Sequence, residues 1–346
     1  MNGVGVRFAS DNVAGVHPAV LAAIHDANSG PAASYGDDPH SAALAELIRE
    51  HFGAQATVYP TFNGTGANVV ALQAMTRRWE SVICSDIAHL GSDEGGALER
   101  IGGISVWRVP QVDGKIDLEQ ALALSGSLGD RHRAQPRVLS LTQSTEYGTC
   151  YTVDEMAEAC DRAHRLGYLV HVDGARLANA AVAQRTTLAG LTTEVGVDVV
   201  SFGGTKNGLL FGDCIIVLRP EAASGLEYLR KGSAQLASKM RFIAAQFVAL
   251  LSDGLWLENA TRANTMAAEL ATRVAAIPGF AVSRPVQTNA VFATVPATAV
   301  EGLRAHGLYH CWDRHRREVR WMTSFDTTVD DVEELSDILA TLGCSS

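Results

Sequence analysis

Two short apolar runs, each ending in a charged residue, most constrain how this chain can fold. The run "YLVHVDGAR" (168–176) is apolar on both faces up to Asp173, and "VDVVSFGGTKN" (197–207) leads in the same way to Lys206. Strands that are apolar on both faces are typical of buried parallel sheets. The segment between the runs, "TTLAGLTTEVG" (186–196), is predicted to be helical and to act as the crossover. Asp173 and Lys206 should therefore emerge at the same sheet edge.

The same alternation of helical and strand-like segments extends from about residue 15 to residue 220, which predicts an α/β fold with a mostly parallel sheet flanked by helices. The clearest helix is "YTVDEMAEACDRAHRLG", where Thr152 and Glu155 form a capping box and Gly167 follows the last turn. Further strands are predicted at 81–86, 103–109 and 137–143.

The pattern changes after about residue 232. Two long helices are predicted at 234–251 and 255–276, followed by the short strand "AVFATVP", the strand "EVRWMTSF" and a last helix at 329–343. We therefore predict a large cofactor-binding domain, residues 1–250, and a smaller C-terminal α/β domain, residues 251–346.

Composition excludes several classes of function. A formal charge of −10 over 346 residues disfavours a nucleic-acid surface, which needs clustered lysine and arginine. The sequence contains no stretch of about 18 apolar residues, so no membrane span is predicted, and the N-terminus lacks the apolar region of a signal peptide. We expect a cytoplasmic protein that binds neither nucleic acid nor membranes.

The cysteines and histidines do not predict a metal site. The six cysteines are scattered without a CxxC pair, so they are expected to be reduced thiols rather than a disulfide frame or zinc ligands; they are Cys84, Cys150, Cys160, Cys214, Cys311 and Cys344. His306, His310, Cys311 and His315 lie close together in the sequence, but Gly307 interrupts the helix that would align them.

Several groups that can do chemistry fall at predicted strand ends. Gly64 and Thr65 begin a helix whose free N–H groups suit a phosphate. His89 follows the strand "SVICSD", and Arg176 lies three residues after Asp173. Because the carboxyl ends of parallel strands meet at one edge, these groups should converge on Lys206.

Pyridoxal phosphate is the cofactor that needs this set of groups. It requires a lysine amine for a Schiff base, a carboxylate that keeps its ring nitrogen protonated, an anion site and a group stacked on its ring. Lys206, Asp173, Gly64 with Thr65, and His89 can supply these in turn. Glycines on either side of Lys206 would let the cofactor approach the backbone closely.

The segment "HVDGARLANA" (171–180) closely resembles the "HLDGARLxNA" motif of the L-threonine aldolases, pyridoxal-phosphate enzymes of the aspartate-aminotransferase fold. Similar blocks occur in the order of that family from Phe8 to Asp326: "FASDN", "YGDD", "FNGTGAN", "VICSDIAHLGSDEGGA", "SLTQSTEYGT", "SFGGTKNGL", "QLASKMRF" and "VRWMTSFDT". The resemblance covers almost the whole chain, and "HVDGAR" with "SFGGTKNG" is a specific combination.

The resemblance implies a role for each matched residue. Lys206 would form the Schiff base, Asp173 would pair with the pyridine nitrogen, and Arg176 would contact the ring hydroxyl. His89 would stack on the ring. Contacts with the substrate are implied for Ser10, Arg320 and Tyr35. The phosphate would lie near Gly64, Thr65 and Thr205, and Arg241 would reach the phosphate of a neighbouring subunit. The family also implies a homo-oligomer, dimer or tetramer, with sites between subunits.

One block departs from the family pattern. "STEYGT" places Glu146 where many members carry a histidine in an "NTHNGG"-like block. The implied reaction is aldol cleavage of L-threonine, L-allo-threonine or a related β-hydroxy-α-amino acid to glycine and an aldehyde. The base that removes the hydroxyl proton could be His89, Glu146 or a water between them.

Three alternatives stay open at this point. The chain could be another enzyme of this fold, such as a β-eliminating lyase, a racemase or an aminotransferase. It could be a cofactor-binding or regulatory relative without activity. It could also be a nucleotide-binding α/β protein in which Lys206 is an ordinary loop residue.

Overall fold

The computed structural model describes residues 4–343, so Cys344 of the predicted free thiols lies outside the described residues. Thirteen strands occur in this range: β1 (Thr57–Thr61), β2 (Glu80–Ser85), β3 (Ser105–Val109), β4 (Gln111–Val112), β5 (Lys115–Ile116), β6 (Gln135–Thr142), β7 (Leu169–Gly174), β8 (Val199–Gly203), β9 (Asp213–Val217), β10 (Ala281–Val282), β11 (Ala290–Thr294), β12 (Cys311–Asp313) and β13 (Glu318–Met322).

The same range contains thirteen α-helices: α1 (Val4–Arg7), α2 (Pro18–Ala27), α3 (Pro39–Phe52), α4 (Gly64–Met75), α5 (His89–Ser92), α6 (Leu118–Ala123), α7 (Val153–Arg165), α8 (Leu177–Ala183), α9 (Leu226–Gly232), α10 (Arg241–Leu251), α11 (Leu255–Ala275), α12 (Val300–Ala305) and α13 (Val329–Gly343). Within residues 4–343, no helix combines the length and the apolar character that a membrane span requires.

A seven-stranded sheet with the order β1-β9-β8-β7-β6-β2-β3 forms the centre of the larger part of the protein. Strands β3, β2, β6, β7 and β8 are parallel, whereas β9 runs antiparallel to both β8 and β1. The predicted α/β fold with a mostly parallel sheet is confirmed. Because β9 runs in the opposite direction, its first residue lies at the edge where the parallel strands end. The last residue of β1 lies at the same edge, since β1 is antiparallel to β9.

Local sequence signals explain the elements that matter most for this edge. Helix α7 begins at the predicted capping box of Thr152 and Glu155, and Gly167 after it has a φ of 79°. Strands β7 and β8 are buried along their whole length, as expected for strands with helices on both faces.

Two helix predictions are wrong in part. The crossover at 186–196 forms two short 3₁₀ turns, Ala189–Leu191 and Thr193–Val195, and Gly196 ends it with a φ of 94°. The helix predicted from residue 234 begins only at α10. Ala234 has a φ of 58°, which a right-handed helix cannot include.

A second, four-stranded antiparallel sheet has the order β10-β11-β13-β12 and packs with α11, and α13 packs on α11 and contributes to the same core. Its core includes Trp321 and Leu270, and also Val4 and Phe8 from the N-terminal segment. Val4 and Phe8 belong to the range 1–250 that was predicted as the large domain, yet they pack in the core of the smaller sheet. The division of the chain at residue 250 stays a prediction.

Candidate active site

A cavity of about 470 Å³ opens at the sheet edge where β2, β6, β7 and β8 end. Trp312 of β12 and Arg320 of β13 close it from the side of the smaller sheet. Ten of the residues singled out from the sequence line this cavity: Ser10, Gly64, Thr65, His89, Glu146, Asp173, Arg176, Thr205, Lys206 and Arg320.

Lys206 lies in a single 3₁₀ turn, Thr205–Asn207, directly after β8. A Cβ atom on Gly204 would overlap the side chains of Leu209 and Phe247, so glycine is needed for this close packing. The positive charge of Arg176, together with burial, lowers the pKa of Lys206 below its ordinary value. No residue in 4–343 forms a hydrogen bond or ion pair with Nζ, which leaves a partly buried amine facing the cavity.

The Asp173 carboxylate is held in place at the end of β7. Oδ1 accepts a hydrogen bond from the N–H of Ala175 at 3.1 Å, and Oδ2 accepts one from Nδ2 of Asn68 at 2.9 Å. Asp173 is buried and lines the cavity with Lys206, as the topology predicted. A fixed buried carboxylate of this kind favours a protonated nitrogen opposite it.

Helix α4 points its N-terminus at the cavity. The Asn63 side chain caps the helix by accepting a hydrogen bond from the N–H of Gly66 at 2.8 Å, so the N–H groups of Gly64 and Thr65 remain for an anion. A Cβ atom on Gly66 would overlap the side chain of Gln235. The hydroxyl of Thr205 lies in the same cavity and donates to the carbonyl oxygen of Gly212 at 3.2 Å.

Arg176 forms a bidentate ion pair with the buried Asp11, which the sequence did not single out. Nε lies 2.6 Å from Oδ2 and Nη2 lies 2.9 Å from Oδ1. Burial alone would raise the pKa of Asp11, but the Arg176 guanidinium lowers it to about 2. The pair fixes the guanidinium and leaves Nη1 outside the two hydrogen bonds.

His89 and Glu146 meet at the first turn of α5. The backbone N–H of His89 donates to Oε1 of Glu146 at 2.8 Å. The Nδ1 atom of His89 lies 3.0 Å from Oε1 of Glu94, and this hydrogen bond raises the pKa of the imidazole. Burial raises the pKa of Glu146 to about 7, close to neutral pH. Both side chains can accept or release a proton at the cavity.

Arg320 brings a cation to the cavity from β13. Its guanidinium carbon lies 5.1 Å from the centre of the Trp312 ring, and within residues 4–343 it forms no ion pair with a carboxylate. Ser10 lines the same cavity and accepts a hydrogen bond from the N–H of Asn12 at 3.2 Å. The arrangement can bind an anionic group between the two sheets.

Tyr35 and Arg241 do not line this cavity. The N–H of Tyr35 donates to the carbonyl oxygen of Ser238, and Nη1 of Arg241 donates to that of Gly30. The Tyr35 side chain is 47% exposed. Their implied roles at a site stay predictions.

Among the cavity residues that were not singled out from the sequence are Asn68, Glu94, Asp213 and Trp312. Asp11, which was not singled out either, contacts the cavity residue Arg176. Asp11, Asn68 and Glu94 lie inside blocks that carried the resemblance, so their position there was a usable signal. Asp213 begins β9 and Trp312 lies on β12, two strands that the sequence did not predict.

Three of the buried polar atoms around the cavity have no hydrogen-bond partner within the described residues. They are Oδ1 of Asn68, Oε2 of Glu94 and Oε2 of Glu146. Leaving such atoms unpaired is costly, so their presence in one cavity indicates a site built around a polar ligand.

Comparison with known proteins agrees with this site. Residues 7–298 match the model of the beta-eliminating lyase family. A low specificity L-threonine aldolase of Pseudomonas aeruginosa is 40% identical over 97% of this chain and 98% of its own. A structure described as a threonine aldolase of Leishmania major has a TM-score of 0.90 and is 28% identical, over 96% of this chain and 98% of that chain. The chain therefore belongs to the beta-eliminating lyase family, and its full-length similarity is to low-specificity L-threonine aldolases.

Proposed function

We propose that this protein is a pyridoxal-phosphate-dependent aldolase that cleaves L-threonine, L-allo-threonine or a related β-hydroxy-α-amino acid to glycine and an aldehyde. The observation that carries the proposal is the convergence of Lys206, Asp173 and the start of α4 on one cavity. Full-length similarity to low specificity L-threonine aldolases supports the choice of reaction.

The residues of the cavity fit the cofactor. Lys206 supplies a partly buried amine with a lowered pKa, Asp173 a fixed carboxylate, and Gly64 with Thr65 free N–H groups for a phosphate. His89 would lie against the ring. When bound, pyridoxal phosphate supplies a carbonyl carbon for an amine and a ring that accepts the electron pair of the broken Cα–Cβ bond.

Each residue then has a defined task. Asp173 holds a proton at the ring nitrogen, because a neutral nitrogen beside a buried carboxylate would leave that charge unpaired. Arg320 binds the α-carboxylate of the substrate through two N–H groups, and Ser10 adds a hydrogen bond. Arg176, fixed by Asp11, is placed to donate from Nη1 to the ring hydroxyl.

We propose Glu146 as the base that takes the proton of the β-hydroxyl group. Its Oε1 is held by the N–H of His89, and its buried Oε2 has no partner within residues 4–343. A pKa of about 7 lets the carboxylate accept a proton and release it again near neutral pH. His89, the alternative base, is hydrogen-bonded to Glu94 through Nδ1, and we assign it the role against the ring.

The proposal is tested by incubating the purified protein with L-threonine, L-allo-threonine, L-serine and phenylserine. We expect equal amounts of glycine and aldehyde from the threonine isomers. Pyruvate and ammonia from L-serine as the main products would instead indicate a β-eliminating lyase.

The Lys206→Ala variant should lose turnover. It should also lose the absorbance band at about 420 nm that the lysine gives with the cofactor. Lys115→Ala is a matched control, since Lys115 pairs with Glu155 outside the cavity. Retention of both the band and turnover in Lys206→Ala would overturn the cofactor assignment.

We also propose that the protein is a homo-oligomer whose partner subunit completes the cavity. Exposed aromatic side chains stack beside it, with Phe62 before α4 and Phe211 after Lys206 at a ring distance of 6.2 Å. Tyr35 and Arg241 lie outside the cavity of their own chain, which suits a role at a partner's site.

Mixing two inactive variants tests this arrangement. If Arg241 serves the neighbouring site, Lys206→Ala and Arg241→Ala subunits should together regain activity, up to about a quarter of the sites for random dimers. No recovery after proven subunit exchange would leave Arg241 without a role at a neighbouring site.

A further inference from the structure

A buried carboxylate lies at the end of the cavity where the phosphate site is proposed. Asp213 is the first residue of β9 and registers with Thr61 of β1 and Gly203 of β8. Because β9 is antiparallel to both neighbours, its first residue falls at the edge where the others end. Asp213 is only 7% exposed, so its charge is largely removed from water.

The side chain of Asp213 faces the start of α4. Oδ1 accepts a hydrogen bond from the N–H of Gly204 at 3.1 Å. A Cβ atom placed on Gly64 would lie 3.7 Å from Oδ2, so this oxygen reaches the N-terminus that is proposed to bind the anion. Asp213 also lines the same cavity as Thr65 and Thr205.

An ionised Asp213 would oppose a phosphate in this position. Among the described residues, the charged groups that act on it are Lys206, from the turn after β8, and Asp173, from β7. The residues facing it from β1 and α4 are the uncharged Thr61 and Gly64. Burial raises the pKa of Asp213 to about 6, although Lys206 acts in the opposite direction. A second anion placed beside it would raise that pKa further.

We propose that Asp213 is a hydrogen-bond donor to the phosphate: it takes up one proton from solvent when the phosphate group binds and donates from Oδ2 to a phosphate oxygen. This inference rests on the proposed function, which places the phosphate at Gly64 and Thr65. It assigns to Asp213 a binding role that couples cofactor affinity to pH.

The test is calorimetric titration of the cofactor-free full-length protein with pyridoxamine 5′-phosphate, which carries the phosphate but cannot form a Schiff base with Lys206. Measurements at pH 7.5 in two buffers of different protonation enthalpy give the number of protons taken up. We expect uptake approaching one proton, and an affinity that falls up to about tenfold per pH unit between about pH 7 and pH 8.5.

Asp213→Asn should abolish this uptake and flatten the pH dependence of binding, because an amide donates without a proton from solvent. Asp93→Asn is the matched control, since Asp93 lines the same cavity but has a different position and is exposed. It should take up protons like the unaltered protein. An equal uptake by Asp213→Asn, or none by the unaltered protein, overturns the inference.

A second measurement covers the case in which Asp213→Asn does not fold. Binding to the unaltered protein should produce the infrared C=O band of a protonated carboxyl group, and its absence overturns the inference. If pyridoxamine 5′-phosphate does not bind at all, the proposed cofactor is contradicted. Binding without proton uptake contradicts only the role of Asp213.

Discussion

The Nδ1 atom of His89 lies 3.0 Å from Oε1 of the buried Glu94 carboxylate. Nδ2 of Asn68 donates to the same oxygen at 2.9 Å and also to Oδ2 of Asp173 at 2.9 Å. The contact requires that Nδ1 of His89 carry a proton, because the carboxylate can only accept it. His89 is therefore linked through Glu94 and Asn68 to the carboxylate that is proposed to hold the ring nitrogen protonated.

Glu94→Gln should lower the pKa of the His89 imidazole, because a neutral amide no longer stabilises the charged ring. NMR titration of the histidine Cε1–H signals measures this directly. His25, exposed beside Asp26, is an internal control that should not change. An unchanged His89 pKa would show that Glu94 does not set its charge.

Glu146 should control the pH dependence of turnover. If its ionised form is the base, kcat/KM rises with pH through about 7, and Glu146→Gln removes that rise along with most activity. Glu146→His should change the ratio of L-threonine to L-allo-threonine cleavage while cofactor affinity stays the same. An unaltered ratio and pH profile would place Glu146 outside the hydroxyl site.

Arg320→Lys should reduce kcat/KM for every amino-acid substrate, because an ammonium cannot reproduce the planar two-point contact with a carboxylate. Loss of such a buried contact costs roughly 2 to 5 kcal/mol, on the order of thirtyfold to several-thousandfold in kcat/KM. The absorbance of the bound cofactor should not change. A reduction below about threefold would match an exposed arginine instead.

Asp11→Asn should destabilise the fold, since it leaves the largely buried Arg176 guanidinium, 16% exposed, without its counter-charge. Breaking a buried pair costs roughly 3 to 5 kcal/mol, and the partial exposure of Arg176 places the expected loss at or below the lower end of that range. Urea unfolding measures the loss. Asp161→Asn, which breaks an exposed pair with Arg165, should cost at most about 1 kcal/mol. A similar small loss in Asp11→Asn would mean that water solvates Arg176.

The same pair predicts a stability change with pH. The folded-state pKa of Asp11, about 2, lies below the usual aspartate value of about 3.9. The ionised carboxylate therefore stabilises the fold above pH 4, and this contribution disappears as the pH falls toward 2. Asp11→Asn should lack this part of the acid sensitivity.

The sequence by itself determined the elements whose signals are local. Strands β7 and β8 were predictable because continuous apolar runs between glycines and helix caps specify buried parallel strands. Their shared direction predicts that Asp173 and Lys206 lie at one edge of the sheet. Gly64, Thr65 and His89 followed from the same rule, since each comes directly after a strand or starts a helix at that edge.

Only the tertiary structure decided the contacts between residues far apart in the chain. Asp11 reaches Arg176 across 165 positions, and Asn68 reaches Asp173 across 105; no local pattern encodes either pairing. Asp213 joined the site because β9 is antiparallel, which its short sequence did not reveal. The pKa values of Glu146 and Asp213 depend on burial and on neighbours brought together by folding. Sequence thus determined which groups lie at the edge, whereas packing determined their partners and their charge.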